Sequence, residues 1–129
     1  MLGLGRLEDT PADFELRGLN VTTPQVWEDG QRLEEFTAGS FEWWYMDGHF
    51  SNGLLAVATF ITGVGLNGEL FGQLNFNIAD DEGVIVDQHV HFAPEDVTIG
   101  KDVANAVMGS SFFRSINGLN AYEIYVDPA

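Results

Sequence analysis

From Phe41 almost to the end of the chain, apolar and polar residues alternate with a period of two, the signature of β-strands. In the stretch FEWWYMDGHF, Phe41, Trp43, Tyr45, Asp47 and His49 fall on one face, while Glu42, Trp44, Met46 and Phe50 fall on the other. Both faces carry a large aromatic, which suits a barrel wall that packs on one side and meets an enclosed space on the other. The same alternation predicts strands at 54–62, 70–79, 84–92, 97–100, 107–116 and 121–127. Turn signals divide them: Ser51-Asn52-Gly53, the glycine-rich 63–68, 80–83, 93–96 and Asn117-Gly118. The fold class is all-β, an antiparallel meander or barrel. Six strands, or seven with 97–100, fall short of the eight or so that close a small barrel, so the barrel is expected to be incomplete within one chain, with an open edge.

The first forty residues break this pattern. Glu8-Asp9, Glu28-Asp29 and Glu34-Glu35 interrupt any long apolar stripe, and residues 1–40 read as a loop-rich lead-in to a β domain over 41–129. Thr10 followed by Pro11 predicts an N-cap and first helical position, and Gly18 stops that helix early. Met1 to Leu7 is too short an apolar start, cut by Gly3 and Gly5, to serve as a secretory signal, so a soluble, cytoplasmic protein is expected.

The stretch from Phe36 to Phe60 also resembles a known family. Thr37-Ala38-Gly39-Ser40, the FEWWYMDGHF strand, the Ser51-Asn52-Gly53 turn and the apolar run from Leu54 are similar to the N-terminal lipocalin-like domain of the carotenoid hydratase (hydroxyneurosporene synthase) family. That family takes in the AttH-like bacterial proteins and the fungal Diels-Alderases. The resemblance implies a lipocalin-like fold with a hydrophobic pocket that hydrates or cyclises a polyene or polyketide-like substrate. Family members usually hold two such halves, and 129 residues accommodate one. A homodimer, or association with a missing C-terminal half, is therefore expected to cover the open edge.

Composition narrows the partners. Twenty acidic residues against five basic give a net charge of −15, which repels phosphate backbones and anionic headgroups, so neither nucleic acid nor membrane insertion is expected. Cysteine is absent, which removes disulfides, thiolate ligands and a cysteine nucleophile.

Three residue sets carry candidate chemistry. On the aromatic strand, Glu42, Tyr45, Asp47 and His49 are the catalytic candidates, as acids for alkene protonation or as donors to a carbonyl, with Trp43 and Trp44 as pocket walls. Phe60 and the amides Gln73 and Asn75 are further candidates for substrate contact. Gly83-x5-His89-Val90-His91-x3-Glu95 resembles the first metal motif of the cupin barrels, with two imidazoles at i and i+2 on one strand face. No histidine follows His91 to complete such a set, so His89 and His91 are assigned to substrate contact, with no metal and no cofactor expected. The glycine-rich 62–68 segment precedes a strand rather than a helix, and reads as a hairpin loop instead of a phosphate cradle. Two functions follow: an enzyme of the hydratase or cyclase kind, or a non-catalytic carrier of a lipophilic ligand. A cupin-like metal enzyme comes third.

Overall fold

The computed structural model describes residues 7–127, so the Met1–Leu7 start lies, except for Leu7, outside the described residues. The lead-in begins with helix α1 (Pro11–Leu16), capped as its sequence predicts. Thr10 Oγ1 accepts the Asp13 amide at 3.3 Å, and the Asp13 carboxylate accepts from Thr10 N at 3.0 Å, a reciprocal capping box. Gly18, at φ +69°, carries the chain out of the helix. After a 3₁₀ turn at Val26–Asp29 the chain enters the β domain.

Among the described residues the β domain comprises two four-stranded antiparallel meanders. Sheet 1 holds β1 (Phe41–His49), β2 (Leu55–Val64), β3 (Leu70–Asp80) and β4 (Gly83–Phe92) in that order. A 3₁₀ turn at Pro94–Asp96 leads to sheet 2, with β5 (Val97–Ile99), β6 (Asn105–Met108), β7 (Ser111–Ser115) and β8 (Tyr122–Tyr125). The expected meander is present, but the sheets do not close into a barrel. The strand expected over 107–116 is two strands, because Gly109, at φ +58°, and Ser110 form a two-residue loop that pairs Met108 with Ser111.

The sheets meet face to face. Trp44, Ala58, Phe60 and Leu74 of sheet 1 pack against Ala104, Ala106, Met108 and Phe113 on sheet 2 and the loop before β6. The register places Trp44, Phe60 and Leu74 in one row across sheet 1, and Phe60 meets Phe113 edge to face at 6.2 Å. Burying such side chains contributes about 1.5–3 kcal/mol each.

Only the even-numbered face of β1 is covered in this way. Trp43 is 57% exposed while Trp44 is 8% exposed. The outer face of sheet 1 thus meets solvent rather than the enclosed space expected of a barrel wall, because sheet 2 packs on one side alone. Sheet 2 is also short. Its strands run three to five residues against nine to eleven in sheet 1. At about 3.3 Å per residue this is roughly 15 Å against 30 Å. The inner face of sheet 1 therefore overhangs its partner, and edge strands β1 and β8 flank an unpaired side of the sandwich.

Candidate functional site

That unpaired side holds a cavity of about 490 Å³, whose lining includes Asp29, Glu42, Trp44, Met46, Phe113 and Tyr122. Alternation on β1 delivers Glu42, Trp44 and Met46 to the inner face, and alternation on β8 delivers Tyr122 and Ile124. Trp43 and Tyr45 edge the cavity along the unpaired side of β1.

Asp29 reaches the cavity through a close backbone approach. Gly30 lies so near the Lys101 backbone that a Cβ would stand 2.1 Å from the Lys101 carbonyl oxygen, and Gln31 N donates to Gly100 O at 2.7 Å. With the strap pinned there, the Asp29 carbonyl accepts from Trp44 Nε1 at 2.7 Å, and its carboxylate accepts from the Tyr122 hydroxyl. Burial, the hydrogen bond to Asp29 and that carboxylate's charge together push the Tyr122 phenol up to about 12, so it stays a donor across the physiological range.

Glu42 adds a second anionic group. Its Oε1 accepts from the Arg32 and Leu33 amides at 2.6 and 2.9 Å, whereas Oε2 is buried without a hydrogen-bond partner. Leaving a buried acceptor unpaired costs about 1–3 kcal/mol, more when it is charged. The Arg32 guanidinium, which also lines the cavity, stacks 4.2 Å from the centre of the Trp27 ring.

A second cavity, of about 380 Å³, lies under the overhang of sheet 1, with Phe50, Leu54, Ala56, Phe76, Ile78 and Val126 in its lining. Met46 and Ile124 border both cavities, which follow one another along the open flank. The flank thus runs from a polar end at Asp29, Glu42 and Tyr122 to an apolar end at Phe50 and Ile78.

The candidates read from the sequence are divided between the two faces of sheet 1. Glu42 and Trp44 are brought together at the cavity. Phe60 faces the same way but is fully buried in the core, so its work is packing between the sheets. Tyr45, Asp47 and His49 project from the outer face, where the His49 and Asp47 side chains are both exposed and stand 4.0 Å apart. The same face carries Trp43, Gln73, Asn75, His89 and His91. There Gln73 Nε2 donates to Asn75 Oδ1 at 2.7 Å, and His89 Nδ1 lies 2.8 Å from that oxygen, with Nε2 3.0 Å from Asp87. His91 is paired across the strands with Gln73. Among the described residues no three His, Cys, Asp or Glu side chains converge as a metal site would require.

Sequence reasoning missed Asp29, Arg32 and Tyr122. For Tyr122 a signal existed, since Tyr122, Ile124 and Val126 alternate as the apolar face of the last strand. For Asp29 and Arg32, in an aperiodic lead-in, there was none. Comparison with protein families, with characterised proteins and with solved structures yields no match.

Proposed function

We propose that this protein binds a lipophilic small molecule along the open flank of its sandwich. The observation that carries this reading is the pair of adjoining cavities between β1 and β8, largely apolar and bordered by Trp44, Phe76 and Ile78, with a few placed polar groups at one end. Concave, mainly apolar spaces of about 300–1,000 Å³ with a small polar set are the usual form of small-molecule sites. Burying an extended hydrocarbon there covers sheet 1 where sheet 2 does not reach.

Glu42 favours a second, catalytic reading, in line with the resemblance to the carotenoid hydratases. A carboxylic acid beside a bound alkene protonates one carbon, water adds to the resulting cation, and the proton that water gives up returns to the carboxylate. Glu42 is the acid that borders the apolar trough with an oxygen free of other bonds.

Titration with a linear polyene while following tryptophan emission tests both readings. Saturable quenching that is lost in Trp44→Ala and kept in Trp27→Ala, a ring that lines neither cavity, is expected, and absence of quenching in the folded wild-type protein refutes the binding site. Under the catalytic reading, Glu42→Gln retains quenching and loses conversion of the alkene to the alcohol. Wild-type protein that binds polyenes without turnover leaves the carrier role alone standing.

A further inference from the structure

Resting on the ligand reading above, we infer that the trough selects a single-chain lipid whose polar end is an uncharged or cationic hydrogen-bond donor, an alcohol or an amine, and discriminates against a carboxylate. The head lies at Glu42 and Asp29 and the tail runs toward Phe50 and Ile78.

The charge at the polar end carries the argument. Three acidic side chains, Glu28, Asp29 and Glu42, line that cavity together with one cation, Arg32, whose guanidinium is stacked on Trp27. A fatty acid would place its carboxylate among these groups, on a chain of net charge −15. Several donors are already committed, the Tyr122 hydroxyl and the Trp44 indole N–H to Asp29 and the Arg32 and Leu33 amides to Glu42 Oε1, which leaves the Arg32 guanidinium and the rim side chains Trp43 and Tyr45 as donors. The buried acceptor left without a partner there is Glu42 Oε2. A hydroxyl or ammonium head supplies the donor that this oxygen lacks once the side chain turns it toward the cavity.

Among the described residues no charged side chain lines the far end, where Asn52 is the one polar residue. Phe50, Leu54, Ala56, Phe76, Ile78 and Val126 offer hydrocarbon to a chain. From Glu42 to Gly48 along β1 is roughly 20 Å at the rise of an extended strand, room for an unbranched tail.

Isothermal titration calorimetry at neutral pH with dodecanol, dodecylamine and dodecanoate tests the assignment on the full chain. The alcohol and the amine are expected to bind at least about tenfold more tightly than the carboxylate, a difference of about 1.4 kcal/mol. Glu42→Gln is expected to narrow the gap between amine and carboxylate. Ile78→Asn at the tail end is expected to weaken all three alike. Dodecanoate binding as tightly as dodecanol overturns the head-group inference and leaves the lipophilic site standing. Failure of all three to bind the folded wild-type protein overturns both.

Discussion

Replacing Gly30 by alanine tests whether the lead-in strap builds the polar end of the cavity. Gly30 sits at φ −79° and ψ 179°, an extended conformation open to any residue, so the substitution introduces no backbone strain of its own. Its whole cost is steric. The new Cβ would stand 2.1 Å from the Lys101 carbonyl oxygen and 2.5 Å from the carbonyl carbon, where heavy atoms prefer about 3.5 Å. Both partners are main chain, so no side chain can rotate away, and the strap must move outward by more than about 1 Å.

That movement stretches the Gln31–Gly100 bond, and it draws Asp29 away from both Trp44 Nε1 and the Tyr122 hydroxyl. Two neutral hydrogen bonds at about 1 kcal/mol each and one to a carboxylate at about 1.5–3 kcal/mol put the loss near 3.5–5 kcal/mol if all three break. This is a large share of the roughly 5–15 kcal/mol that holds a domain of this size. Urea unfolding followed by tryptophan emission measures the loss, and ultraviolet titration of the tyrosines, with Tyr122→Phe as the assignment control, reports on the strap. In Gly30→Ala the Tyr122 phenol is expected to titrate below about 12, because its hydrogen bond to Asp29 and that carboxylate's charge are lost while its burial remains. Stability within about 0.5 kcal/mol of wild type together with an unchanged Tyr122 titration would refute the reasoning, since 0.5 kcal/mol is the scatter of an innocuous surface change.

Two further outcomes follow from the same structure. Because Tyr122 is raised above the value of 10 expected in the unfolded chain, its protonated form stabilises the fold; that contribution is whole below pH 10 and is lost as pH rises toward 12, so unfolding free energy should fall across this window in wild type and less steeply in Tyr122→Phe. Phe60→Ala removes a ring that is fully buried between the sheets, and urea denaturation should show a loss of about 3–5 kcal/mol.

The first four strands were legible because nothing competes with their alternation: β1 to β4 lie within two residues of the positions expected from pattern and turn residues alone. The 107–116 segment misled because Gly109-Ser110 is a weaker turn signal than Asn-Gly. Parity carried the missed information. A single strand would put Met108 and Phe113 on opposite faces, yet both are buried in the same core, and only a two-residue loop between them reconciles the two.

Which face of β1 is inside could not be read from β1, since each side offers an aromatic. The decision belongs to β3, where Leu74, Phe76 and Ile78 oppose Gln73, Asn75 and Asn77, combined with a register that sets Trp44 beside Phe60 and Phe60 beside Leu74. Given that register, burying Trp43 would also have buried the amides, each of which needs its own partners in a dry core. The outer amides instead bond one another and their His89 and Asp87 neighbours at the surface. The polar end of the cavity is less local still: Asp29 and Tyr122 are 93 residues apart, joined by a strap without periodicity. Its position depends on one glycine meeting one carbonyl, a contact that no alternation pattern encodes.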